Sequence, residues 1–132
     1  MGKIVVIIEK NKDGFGAFTD NTKSVIIGEG KTVAETKSDF LNSFDEVVAS
    51  YNSPYDVPRE LRHPVFEYKY DVSAFFDMFD FLNISKFAKR SGINPSLMRH
   101  YKLGDTYISD AQARKIESCI HEIGLELLSV SL

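Results

Sequence analysis

The sequence predicts an α+β fold, with a small β-β-β-α-β layer over residues 1–73 and an all-α region over residues 74–132. Three observations predict it. Short Val/Ile-rich runs separated by turn residues fill the first thirty positions. A helical stripe with a threonine at its start follows, and then one more alternating run. Beyond residue 74 the apolar side chains recur only at helical spacing.

Taken in order, Lys3 to Lys10 is short and rich in Val and Ile, which predicts a strand buried on both faces. Asn11 to Gly14 is turn chemistry, with glycine supplying the positive φ. Phe15 to Thr19 pairs back as a second strand, Asp20 to Thr22 turns again, and Ser24 to Gly28 forms a third strand. Thr32 and Glu35 have the spacing of a capping box, in which each side chain satisfies an amide at the helix start. Val33, Phe40, Leu41, Phe44, Val47 and Val48 then form an apolar stripe. Lys37, Asp39, Asn42, Asp45 and Glu46 make the wet face, and Asn52 to Pro54 ends the helix. Pro54, Pro58 and Pro64 mark an extended connection to a fourth strand, Val65 to Val72.

Phe75, Phe76, Phe79 and Leu82 follow at helical spacing and read as a core stripe. Asn83 caps a short helix that runs to Ser91, and Gly92 turns the chain. Asn94 and Pro95 start the next helix with a cap and a proline at its first position. Gly104 stops it. Ser109 and Gln112 form a second capping box, and the last helix carries Ala113, Ile116, Ile120, Ile123 and Leu127 on one face. That stripe is long for so small a bundle, and fits either an internal core or part of a contact with a second chain.

Composition narrows the function classes. Of 132 residues, 43% are apolar and 27% charged, which are the values of a globular chain. No apolar run is long enough to span a bilayer, and the five-residue run near the N-terminus is too short for a secretory signal. The single cysteine, Cys119, excludes an internal disulfide and suits a cytoplasmic location. Residues 1–80 carry nine Lys/Arg and fourteen Asp/Glu, a balance of −5, and residues 81–132 carry seven and five, a balance of +2. An acidic front and a basic-leaning back suggest two kinds of partner.

Enzyme chemistry is hard to build from these residues. His63, His100 and His121 lack metal-ligand spacing, and Cys119 sits near the apolar stripe, where packing is its simpler role. Gly14–Gly16 and Gly28–Gly30 lack the strand-to-helix phosphate fingerprint. Only a convergence of Glu9, Asp13, Asp20 and Asp71 offers a metal site. The sequence therefore predicts no enzyme and no cofactor.

The stretch Ile84 to Leu103 carries the clearest functional signal. Ala88, Gly92, Ile93, Met98 and Tyr101 stand where a DNA-binding helix-turn-helix needs a small residue, a turn glycine and three core contacts. The stretch holds five Lys/Arg and no acidic residue. With Met98 and Tyr101 inward, Ser96, Arg99 and His100 point outward, with Asn94 and Pro95 at the tip. These five are the candidate base contacts, and Arg99 leads them because its fork spans O6 and N7 of guanine. Lys86, Lys89, Arg90 and Lys102 suit phosphates, which position without specifying. The same pattern also fits a solvated basic face on a helix pair that serves protein contact.

The order of elements resembles the HicB antitoxins of bacterial type II toxin–antitoxin pairs. The resemblance rests on Asp13 to Asp20, on Gly28 to Thr36, on Leu82 to Arg99 and on Ser109 to Val130, and the last two are the more specific. It implies a partial ribonuclease-H-like front layer that neutralises a small basic HicA-type ribonuclease toxin. It also implies a back domain that binds operator DNA, represses its own operon and forms a homodimer or higher homo-oligomer. Asp20 to Ser24 stands where many members carry a Pro-Gly-Cys turn. Two other readings remain: a plain helix-turn-helix regulator whose front domain senses a ligand or dimerises, and a metal-dependent nuclease.

Overall fold

The computed structural model describes residues 2–132 and shows a mixed α/β chain with a four-stranded mixed sheet and five α-helices among those residues. It divides into two compact units, Met1–Met78 and Phe79–Leu132.

In the first unit, β1 (Ile4–Asn11), β2 (Gly14–Thr19) and β3 (Ile27–Gly30) form the expected antiparallel meander. β4 (Phe66–Tyr70) joins the other side of β1 and runs parallel to it, giving the order β3-β2-β1-β4. A parallel neighbour needs a crossover connection. Helix α1 (Val33–Ala49) and two 3-10 turns, Pro54–Asp56 and Arg59–Leu61, supply it.

Only one face of the sheet is closed. Ile4, Val6 and Ile8 of β1 and Phe15 and Ala17 of β2 are buried together with Val33, Phe40 and Phe44 of α1. Val5 and Ile7 alternate with them and stay half-exposed, so β1 is not buried on both faces as its Val/Ile run suggested. An alternating run is decided by what covers each face, and helix α1 covers one. Phe40 and Phe44 meet Phe66 of β4 edge to face, at ring separations of 5.6 and 5.1 Å.

The close approach of α1 to β3 depends on Gly28. A Cβ there would lie 2.5 Å from the backbone nitrogen of Phe40. Backbone on both sides leaves nothing flexible to yield, so any side chain at this position must displace the helix.

β3 starts three residues later than the Ser24–Gly28 expectation. The Thr22 hydroxyl donates to the carbonyl of Ser24 at 2.7 Å, and the Thr19 hydroxyl accepts from the Ile26 N–H at 3.0 Å. Side chains thus take backbone groups that a longer ladder would have used.

Thr32 caps α1 as expected, its oxygen accepting from the Glu35 N–H at 3.1 Å. Glu35 reaches the Lys31 N–H rather than that of Thr32, so the box closes one residue early. The stripe also differs from the expected set. Thr36 is fully buried, its hydroxyl donating to the Thr32 carbonyl at 2.8 Å, whereas Leu41 is exposed. Lys37 is not simply solvated. Its ammonium lies 4.0 Å from the centre of the Tyr68 ring and donates to the Tyr70 hydroxyl at 2.9 Å. Burial, followed by the neighbouring Tyr70, raises the pKa of the Tyr68 phenol above its ordinary value.

Helix α2 (Val72–Met78) starts where the fourth strand was expected to end and belongs to the first unit. Asp71 caps it by accepting from the Ala74 N–H at 2.7 Å, and also accepts from the Lys10 N–H of β1 at 2.9 Å. Asp77 accepts from the Val33 N–H at 2.8 Å, where a carboxylate favours the α1 terminus. These bonds place the boundary at Met78 rather than at residue 73. Phe75 and Phe76 of the expected stripe are buried, while Phe79 and Leu82 lie beyond the helix and are half-exposed.

Candidate nucleic-acid interface

The second unit contains α3 (Ile84–Ser91), α4 (Pro95–Leu103) and α5 (Asp110–Leu128). Local chemistry explains the three starts and the ends of α3 and α4. The Asn83 side chain accepts from the Lys86 N–H at 2.9 Å, and that of Asn94 accepts from the Ser96 and Leu97 N–H groups at 2.8 and 3.3 Å. Ser109 accepts from the Gln112 N–H at 3.2 Å. Gly92 and Gly104 end α3 and α4 in the left-handed region, at φ of 77° and 76°, where a side chain would be strained. The Ile93 N–H returns to the Ala88 carbonyl at 2.9 Å, which closes the three-residue turn between α3 and α4.

Phe87, Ala88, Ile93, Met98 and Tyr101 are buried, and with them Ile116 and Cys119 of α5. The inward set read from the sequence, Ala88, Ile93, Met98 and Tyr101, is therefore inside. Asn94, Ser96, Arg99 and His100 are exposed and Pro95 is half-exposed. Lys86, Lys89, Arg90 and Lys102 are exposed as well.

Three side chains carry local engagements that the sequence did not show. Arg99 donates from Nη1 to the Ser85 hydroxyl of α3 at 3.2 Å. A guanidinium has five N–H donors in a rigid fork, so one bond to Ser85 fixes its direction and leaves others to offer. His100 Nδ1 lies 3.1 Å from an Asp105 carboxylate oxygen, which places an acid beside the basic stretch just past the Gly104 stop. Arg90 is paired with Glu126 of α5, whose hydrogen bond raises the pKa of the guanidinium. The Glu126 carboxylate thereby offsets its charge. Sequence periodicity had no access to a pair thirty-six residues apart.

The α5 stripe is covered only in part. Ile116 and Cys119 are buried, Ile120 and Ile123 are half-exposed, and Leu127 is 63% exposed. Ala113 is exposed too, and Cys119 takes the inner place that periodicity had given to its neighbours. Burial raises the pKa of the Cys119 thiol, and nearby Arg90 opposes this more weakly. The thiolate is the reactive form. Alkylation of the native chain by iodoacetamide near neutral pH is expected to be at least about tenfold slower than that of the denatured chain. Equal rates would show that Cys119 is accessible.

Among the described residues, no group of three or more His, Cys, Asp or Glu side chains is placed to hold a metal ion. Glu9, Asp13, Asp20 and Asp71 do not converge, and Asp71 is engaged as a cap. No helix among the described residues is long and apolar enough to cross a membrane. Compared with protein-family models, with curated proteins and with solved structures, the chain matches none.

Proposed function

We propose that this chain is a non-enzymatic, HicB-type antitoxin and autorepressor. In this reading α3 and α4 form a helix-turn-helix that binds operator DNA, and the first unit neutralises a basic HicA-type ribonuclease toxin. The observation that carries the DNA half is the division of α4. Met98 and Tyr101 are buried, while Ser96, Arg99 and His100 are exposed beside a helix bearing Lys86 and Lys89. The N-terminal residues of a recognition helix meet base edges in the major groove, and flanking cations meet phosphates.

The toxin half rests on the resemblance and on charge. A meander with a parallel fourth strand supports the partial ribonuclease-H-like reading of the first unit. Its thirteen acidic against nine basic residues suit a basic partner. The uncovered apolar end of α5 supports a homodimer or higher homo-oligomer.

Arg99→Ala is expected to weaken operator binding by about 1–3 kcal/mol and to relax sequence preference. Lys86→Ala is expected to weaken binding to all sequences and to reduce the salt slope by about one. Equal losses on operator and random DNA for Arg99→Ala would remove it as a base reader. Neutralisation of a toxin encoded next to this chain should survive Arg99→Ala. If neutralisation fails while the fold is intact, the division of labour is wrong.

The second reading is a plain helix-turn-helix regulator with a ligand-sensing first unit. A cleft of about 510 Å³ in that unit favours it. A short basic reading frame beside the gene supports the antitoxin, and its absence supports the plain regulator.

A further inference from the structure

Basic side chains are unevenly placed in the first unit. The cleft lies between the start of β1, the β2–β3 connection and the segment that leads into β4. Lys3, Lys23, Arg59 and Arg62 line it, and Glu60 is its one acidic residue. Four of the nine basic residues of the unit thus meet one of its thirteen acids, although the unit as a whole is acidic.

The walls are tied together by specific bonds. The Lys23 N–H donates to Glu60 Oε1 at 3.1 Å, which links the β2–β3 connection to the second 3-10 turn. Asn21 accepts from the Val5 N–H at 2.9 Å and donates to the Lys3 carbonyl at 2.8 Å, which links that connection to β1. Arg62 is held by the carbonyls of Val57 and Tyr55, at 2.8 and 2.7 Å. His63, also in the lining, is the one non-glycine residue among those described with a positive φ, at 49°. A residue outside glycine keeps that conformation only where its surroundings fix it. The bonds hold the frame, and the Lys3, Lys23 and Arg59 side chains remain exposed at its rim.

We infer that this cleft binds a small phosphorylated molecule, with Lys3, Lys23 and Arg59 as its phosphate-binding residues. Four cations against one engaged carboxylate suit a multiply charged anion better than a single carboxylate. Lysine meets phosphate as a point charge and arginine as a fork. The volume lies within the range of small-molecule sites and exceeds what an inorganic phosphate fills. Ile4, Pro58 and Pro64 add an apolar lining for the rest of the ligand. The inference rests on the lining of this cleft and not on the DNA-binding reading.

The test is titration of the full chain with inorganic phosphate, pyrophosphate and adenosine triphosphate, followed by backbone amide shifts. Saturable shifts centred on Lys3, Lys23, Arg59 and His63 are expected, with pyrophosphate and the triphosphate binding more tightly than phosphate. The double variant Lys23→Ala/Arg59→Ala should bind pyrophosphate at least about tenfold more weakly. The control Lys12→Ala/Lys69→Ala removes equal charge elsewhere in the unit and should stay within about twofold. Three results overturn the inference: no saturable binding of any of the three probes, an equal loss in the control, or shifts at these amides with a single-stranded oligonucleotide alone. The mapping on the unmodified chain does not depend on how the variants fold.

Discussion

Phe40→Ala is expected to destabilise the first unit by about 3–5 kcal/mol, the usual cost of removing a buried aromatic ring. Phe40 is fully buried, and its ring meets Phe66 edge to face at 5.6 Å and Phe44 at 6.4 Å. The substitution leaves a cavity between α1 and the sheet, and the backbone has little room to close it. Gly28 already holds the strand against the Phe40 backbone, so the layers cannot slide without losing that fit. Denaturant unfolding followed by amide signals of β1 and β2 would measure the loss. A loss under about 1 kcal/mol would show that the ring is not part of the core that closes the sheet.

Met98→Ala is expected to destabilise the second unit by about 2–5 kcal/mol. Met98 is fully buried, and Ala88, Ile93 and Tyr101 are buried in the same helix pair. This variant separates scaffold from reader. If α3 and α4 bind DNA, Met98→Ala lowers binding to every sequence in proportion to the folded fraction, and cooling or a neutral osmolyte restores it. Arg99→Ala instead changes preference on a folded chain. A Met98→Ala chain that is fully folded yet altered in sequence preference would put Met98 at the interface and reverse the assigned orientation of α4.

The helix starts were legible because capping is local. Thr32, Asn83, Asn94 and Ser109 each bond an amide two or three residues ahead, and the residue types that do this are few. The glycine stops at Gly92 and Gly104 are equally local. The orientation of α4 was legible because inward and outward residues alternate at helical spacing around one turn glycine.

The errors share one cause. Leu41 reads as core and is exposed, whereas Thr36, absent from the apolar stripe, is inside with its hydroxyl satisfied by the Thr32 carbonyl. Lys37 reads as solvated until β4 brings Tyr68 and Tyr70 to it. Arg90 reads as available until α5 brings Glu126. Asp105 is close in sequence to His100, but its place past the Gly104 stop hid it from a reading based on helix faces.

The sequence by itself determined the element types and the helix caps, because backbone preference and capping act over a few residues. Only the tertiary structure decided that β4 runs parallel to β1, that α2 belongs with the sheet, and which charges are paired. Those outcomes depend on contacts between residues thirty or more positions apart, such as Lys10 with Asp71 and Val33 with Asp77. Contacts of that kind leave no periodic trace in a single chain.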